Sequence, residues 1–328
     1  MAQPPIGVVG SGSWGTALAQ AVARGGREVM LWGRDGPAMA RIARSRVNSR
    51  YLPGVVLHPA IRLTADLLAL DPCRILLLAV PAQRLRETAR RLEDRGRVLV
   101  ICAKGIERTT HRRLSEVLSE ECPDCPLAVL SGPSFAAEVA RGLPTALTLA
   151  APAIALAREI VGELSTPAFR LYPGDDVIGV EIGGALKNVI AIAAGIVMGR
   201  GLGENARAAL ITRGLAEISR LGTALGARRE TLAGLSGMGD LVLTATSLSS
   251  RNTHFGFDLG CGAPLDSLIG QDAPLCEGVW TARAACELAA AHGVELPVSQ
   301  AVARILDGTW SVDQAVEALL TRPPAVRE

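Results

Sequence analysis

Aromatic side chains are scarce in this chain: four Phe, four Trp and two Tyr among 328 residues. The core must therefore be built from Ala, Leu, Val and Ile. An excess of charge of either sign is missing as well. Lys and Arg number 34 against 32 Asp and Glu, a formal net charge of +2. No bulk field draws such a protein toward nucleic acid or an anionic membrane, so any anion is bound at a local site. Apolar runs such as Val189 to Met198 stop short of the roughly 18 residues of a membrane span. Met1 to Pro5 carries no basic region ahead of a hydrophobic stretch, so no secretory signal is expected. None of the four histidines, His58, His111, His254 and His292, has metal-ligand spacing with another, and no metal is expected.

The apolar share of 49% against 20% charged residues excludes a disordered tail protein. At about 150 residues per domain the length suggests two domains, enough to bury a sizeable core. Seven scattered cysteines suit a reducing cytosol, so a cytoplasmic location is expected. Cys122-Pro-Asp-Cys125 is the one close pair. With no second pair and no histidine nearby, it reads as a loop carrying two thiols.

The first half alternates β-rich apolar runs with helical stretches. Strands are expected at 6–9, 28–32, 75–80, 98–103, 127–130, 146–149 and 169–171, with helices at 16–24, 84–93, 111–120 and 135–141. Near-continuous apolar strands between helices indicate a parallel sheet buried on both faces. Past Pro173-Gly174-Asp175-Asp176 no further β-rich run appears. Helical periodicity takes over at 177–198, 206–225, 281–292, 299–306 and 312–320. The reading is α/β: a doubly wound, Rossmann-type domain over residues 1–174, then an all-α domain over 175–328.

Ile6-Gly7-Val8-Val9 runs into Gly10-Ser11-Gly12-Ser13-Trp14-Gly15 and then the helical Thr16-Ala17-Leu18-Ala19. Glycines at 10, 12 and 15 between a strand and a helix permit a tight turn, approach of a pyrophosphate and close helix–strand packing. The helix N-terminus supplies unpaired N–H donors. This points to NAD(H) or NADP(H). An NAD-specific site places an acidic residue at the end of the second strand. Here that strand ends Trp32-Gly33-Arg34-Asp35. Arg34 suits a 2′-phosphate, Asp35 could still turn inward, and both could be solvated turn residues.

Lys104 follows the strand at 98–103, where ligands bind in open α/β sheets, although a surface lysine reads the same way. Ser131-Gly132-Pro133-Ser134-Phe135-Ala136 occupies a later strand end and opens a helix, as a phosphate or cofactor contact or as a routine cap. Lys187 and Asn188 are polar residues inside an apolar helix. Gly183 lies four residues before Lys187 on the same face, open to tight helix packing or to a ligand. A buried lysine tends toward a lowered pKa, which proton transfer requires. Asp240, directly after the glycine-rich 235–239 stretch, puts a carboxylate where a helical stretch opens, as a functional group or as a plain helix cap. Ser250-Arg251-Asn252 fits a phosphate and equally an exposed loop.

Taken together, these segments resemble the bacterial NAD(P)-dependent glycerol-3-phosphate dehydrogenases. The likeness is carried by GSGSWGTALA (10–19), LWGRD (31–35), CAKGIE (102–107) and SGPSFAAEVARGLPTA (131–146). It continues through GVEIGGALKNVIAIAAGI (179–196), ARAALITRGLAEISRLG (206–222), GLSGMGDLVLT (234–244), SRNTHFG (250–256) and CEG (276–278). The resemblance implies cofactor contacts at Ser13, Trp14, Arg34, Lys104, Ala136, Arg251, Leu275 and Glu277. It implies a substrate site of Lys104, Gly132, Ser134, Lys187, Asn188, Asp240, Ser250, Arg251 and Asn252. Lys187 would be the general acid/base, its pKa lowered by the like charge of Lys104 and raised by Asp240. The family usually has a valine pair where this chain has Leu275-Cys276, which weakens the carry-over to Leu275. A homodimer and a supply of glycerol 3-phosphate for phospholipid synthesis are implied as well. A β-hydroxyacid dehydrogenase of similar plan and a catalytically silent NADP(H)-sensing module are the alternatives.

Overall fold

The computed structural model describes residues 3–92, 96–270 and 275–322. Eight strands form one sheet: β1 (Ile6–Val9), β2 (Val29–Trp32), β3 (Ile61–Thr64), β4 (Ile75–Leu78), β5 (Val98–Ile101), β6 (Leu127–Ser131), β7 (Thr145–Ala150) and β8 (Phe169–Gly174). Their order across the sheet is β3-β2-β1-β4-β5-β6-β7-β8. Chain direction along the sheet reverses at β1, which pairs in parallel with both β2 and β4. Beyond the carboxyl ends of strands at such a switch lies the usual ligand crevice of an open α/β sheet.

Alternating side chains explain the unbroken apolar strands. Ile75 and Leu77 of β4 enter the core on one face of the sheet, while Leu76 and Leu78 enter the core on the other. The parallel sheet expected throughout ends at β6. β7 runs antiparallel to β6, and β8 parallel to β7. Hydropathy reports burial and carries no strand direction. β3, an edge strand, falls outside the expected strands because its four residues alternate Ile61 and Leu63 with Arg62 and Thr64. The helix expected from residue 111 begins at Leu114. His111 has a φ of 57°, a left-handed conformation that a helix cannot continue through. In place of the helix expected over 84–93 stand a 3₁₀ turn at Ala82–Arg84 and a helix at Leu85–Ala89, and Glu93 lies outside the described residues.

The chain divides into two compact units, Met1–Lys104 with Arg112–Glu181, and Gly105–His111 with Ile182–Glu328. The first holds the sheet; in the second the described residues form helices and no strand. The short Gly105–His111 segment is held within the helical unit. Arg108 lies 5.0 Å over the Trp280 ring, and His111 Nε2 is 2.5 Å from Glu287 Oε2.

The longest helix, Val177–Gly199, has 23 residues and a mean hydropathy of 1.7 over its most apolar window. By length and composition it is apolar enough to cross a membrane, contrary to the expectation from uninterrupted runs. Glu181, Lys187 and Asn188 break the run without lowering its mean enough. That window is 89% buried inside the protein, the situation of a core helix. The helix Arg251–Gly260 approaches it at backbone distance: a Cβ on Gly256 would stand 2.0 Å from the Ile192 carbonyl. Cys122 and Cys125 are buried in the core on one face of the sheet.

Candidate active site

Each glycine of the 10–15 loop has a distinct physical task. Gly10 takes a φ of 116°, and a Cβ there would meet the Ala79 carbonyl at 2.7 Å. A Cβ on Gly15 would lie 1.9 Å from the Gly10 carbonyl, so the helix could not pack against the turn. Gly12 faces open space, with nothing within 4 Å of a Cβ built on it. The helix Ser13–Arg24 starts there without any side-chain cap, so its first N–H groups face that space. The Trp14 indole N–H is buried and has no partner among the described residues. An open cradle, an uncapped helix N-terminus and an orphaned indole donor fit a bound dinucleotide.

At the end of β2 the two candidate discriminators separate. Asp35 is the N-cap of the helix Gly36–Ser45, its carboxylate accepting from Ala38 N at 2.9 Å. Arg34 is exposed and makes no hydrogen bond or ion pair among the described residues. At the ends of β5 and β6, Lys104 Nζ donates to the Gly132 carbonyl at 3.1 Å. Ser134 Oγ donates to the same carbonyl, also at 3.1 Å. Ala136 is the first residue of the short helix Ala136–Arg141, which has no side-chain cap.

In the helical unit Lys187 is almost fully buried. Its Nζ donates to Asp240 Oδ1 at 3.0 Å and to Thr244 Oγ1 at 2.7 Å. Asp240 opens the helix Asp240–Ala245, one turn before Thr244, so a single turn presents both acceptors. The preceding turn, Leu235–Gly239, is a π-helix, a form common at functional sites. Its Ser236 carbonyl would stand 2.7 Å from a Cβ on Gly183, which explains a glycine one turn before Lys187. The pairing with Asp240 offsets the cost of burying the ammonium. Thr244 carries no signal of its own within GLSGMGDLVLT, and its hydroxyl gains meaning only beside Lys187.

Asn188, the next residue, joins a second cluster. Asn252 Nδ2 donates to Asn188 Oδ1 at 3.0 Å, and Asn252 Oδ1 accepts from Gly278 N at 3.0 Å. Asn252 thus ties the helices Val177–Gly199 and Glu277–Ala291 together, and one of its two amide hydrogens is spent there. Ser250 caps the helix Arg251–Gly260, accepting from Thr253 N. The Arg251 side chain is exposed at the first position of that helix. Leu275 is exposed, and Glu277 is half-buried as the first residue of its helix.

The N-terminal end of the Lys187 helix is anchored by Glu181, to which the sequence alone gives no role. Glu181, side chain 5% exposed, accepts from Ser115 N at 2.7 Å, Ser115 Oγ at 2.5 Å and Arg113 Nη1 at 3.0 Å. Burial pushes its carboxyl up, against the pull of the Arg113 guanidinium and the Ser115 donors.

Residues 5–157 match the family model described as NAD-dependent glycerol-3-phosphate dehydrogenase N-terminus, and residues 176–317 match that of the C-terminus. Over 326 residues the chain is 51% identical to an NAD(P)+ glycerol-3-phosphate dehydrogenase of Parvibaculum lavamentivorans, covering 98% of each chain. It is 55% identical over 327 residues to the Methylobacterium radiotolerans protein of the same name, again covering 98% of each. The solved structure of glycerol-3-phosphate dehydrogenase from Coxiella burnetii has a TM-score of 0.93 and 41% identity. That similarity covers 98% of this chain and 99% of the other.

Proposed function

The chain belongs to the NAD-dependent glycerol-3-phosphate dehydrogenase family, and from that premise we propose how its residues divide the work. The protein is an NAD(P)-dependent oxidoreductase interconverting sn-glycerol 3-phosphate and dihydroxyacetone phosphate. The nicotinamide, when bound, takes the hydride from C2 or returns it. Residues 1–174 bind the dinucleotide, and residues 175–328 bind substrate and carry the proton. The observation that carries this reading is the buried Lys187 held by Asp240 and Thr244.

In reduction the Lys187 ammonium donates to the ketone oxygen at C2 and then gives it a proton. In oxidation the neutral amine accepts the hydroxyl proton. Asp240 and Thr244 aim Nζ, and Asp240 stabilises its charged form. Arg251, Ser250 and Asn252 hold the phosphate dianion, with Lys104, Gly132, Ser134 and Asn188 on the rest of the substrate. Of these, Arg251 has the exposed planar fork that suits bidentate phosphate binding. Arg251→Ala is expected to raise the KM for dihydroxyacetone phosphate about tenfold or more, with a smaller change in kcat. Steady-state kinetics at saturating dinucleotide measure it; an unchanged KM removes Arg251 from the phosphate site.

Gly10, Gly12, Ser13, Trp14, Gly15, Arg34, Lys104, Ala136, Arg251, Leu275 and Glu277 form the proposed dinucleotide contacts. Asp35 is spent on its helix cap, which argues against its carboxylate holding a 2′-hydroxyl. Arg34 then supports a preference for the 2′-phosphate of NADPH. Arg34→Ala is expected to raise the KM for NADPH about tenfold, the value of one charge-assisted hydrogen bond, and to leave that for NADH unchanged. Equal effects on both cofactors would refute the assignment. A cytoplasmic homodimer assembled through the helical half, supplying glycerol 3-phosphate to phospholipid synthesis, belongs to the same proposal.

A further inference from the structure

Between the helix Gly36–Ser45 and β3 the chain forms little regular structure beyond a bridge from Val47 to Val56. This segment is nevertheless laced onto the glycine loop and its helix by side chains from both sides. Ser13 Oγ donates to the Tyr51 carbonyl at 2.8 Å. Gln20 donates to the Val56 carbonyl at 3.1 Å and accepts from His58 N at 2.9 Å. Leu52 and Leu57 are buried in the same core cluster as Leu18 and Val22.

The centre of the lacing is Asn48, 2% exposed. One hydrogen of its amide goes to the Ser11 carbonyl and the other to Thr16 Oγ1, both at 2.9 Å. Thr16 Oγ1 donates in turn to the Ser11 carbonyl at 3.3 Å. The Ser11 carbonyl and the Gly12 N–H belong to one trans peptide plane and point in opposite directions. Whatever holds the carbonyl therefore aims the N–H.

We infer that Asn48 is a positioning residue for the dinucleotide: by holding the Ser11 carbonyl it turns the Gly12 N–H outward, toward the space where a pyrophosphate lies. The inference rests on the dinucleotide reading of the glycine loop. Asparagine suits the task because it supplies two donors in one plane from a short side chain. Aspartate has the same shape and only acceptors, so it would set an oxygen against the Ser11 carbonyl oxygen.

The test compares the parent with Asn48→Asp and, as a milder variant that keeps the Asn48–Ser11 bond, Thr16→Val. The NADPH dissociation constant is measured by quenching of tryptophan fluorescence, and kcat and KM are measured with dihydroxyacetone phosphate at saturating NADPH. Asn48→Asp is expected to weaken NADPH binding about tenfold or more. Its kcat at saturation and its KM for dihydroxyacetone phosphate stay within about twofold, a split that general loosening of the fold would not give. Thr16→Val, which loses the two bonds of the Thr16 hydroxyl and keeps the one from Asn48 to Ser11, is expected to show an intermediate loss. If Asn48→Asp does not fold, an NADPH affinity in Thr16→Val equal to the parent's overturns the inference on its own. NADPH affinity in Asn48→Asp within twofold of the parent, or an equal loss of kcat, overturns it too. Failure of the parent to bind NADPH and NADH alike overturns the dinucleotide reading and this inference with it.

Discussion

Lys187→Ala is expected to lower kcat by about 10²- to 10⁴-fold, the range that a positioned general acid/base supplies. NADPH binding should survive, because the glycine loop and Arg34 lie on the sheet unit and make no use of Lys187. Lys187→Arg should fail almost as completely. It keeps the charge and the pairing with Asp240, but a guanidinium does not give up its proton at any working pH. The comparison separates two roles that alanine alone confounds. If Lys187 merely attracted the substrate by charge, arginine would restore turnover. Stopped-flow reduction of dihydroxyacetone phosphate, with NADPH binding followed separately by fluorescence, reads both quantities. Near-normal kcat in either variant would take Lys187 out of the proton transfer.

The largest effect on stability is expected at Glu181. Its carboxylate receives two bonds from Ser115 and one from Arg113, all within the sheet unit. Glu181→Ala leaves those donors buried beside a cavity, with the Arg113 guanidinium still close by. Breaking a buried pair in this way costs about 3–5 kcal/mol. For a chain of this size that corresponds to a fall in Tm of roughly 10 °C. Replacing both partners, as Glu181→Leu with Arg113→Met, should recover much of the loss, since no buried charge stays unpaired and Glu116, which loses Arg113, is half-exposed. Calorimetry of the single and double variants decides it; a Tm for Glu181→Ala within about 2 °C of the parent would show that the network is not stabilising. Glu181 stands six residues before Lys187 on one continuous helix, about 9 Å along its axis.

Much of this was legible in the residues, and the reasons are specific. Seven of the eight strands announced themselves, and in β1, β2, β4, β5 and β6 the reason is that both faces of the sheet are buried, which turns a strand into an apolar run. β3 did not, because its four residues are only half apolar, whereas the other edge strand, β8, shows itself through Phe169, Leu171 and Tyr172. The antiparallel β7 could not be foreseen: 13 residues separate Ser131 from Thr145, enough for a crossover as easily as for a reversal. Lys187 stood out as a charge in an apolar helix, and Gly183 as a gap one turn away. Thr244, Glu181 and Asn48 carried no such signal. A threonine in a helix, a glutamate near a helix start and an asparagine in a loop are ordinary on their own. Only the partners that folding brings to them give them a task. Asp35 shows the converse, since its place beside Arg34 suggested a ribose contact and the structure spends it on a helix cap.

The excursion of Gly105–His111 into the helical unit bears on how this chain could be taken apart. The backbone passes from one unit to the other three times, after Lys104, after His111 and after Glu181. No single cut yields two self-sufficient pieces. A fragment ending near residue 174 would carry Ile106 and Glu107, both buried in the intact protein, away from the unit they belong to. The complementary fragment would leave the Trp280 ring without Arg108 and Glu287 without His111. Exchanging halves between relatives therefore requires grafting the seven-residue excursion along with the helices, and recombination at the apparent midpoint of the chain would leave both halves incomplete.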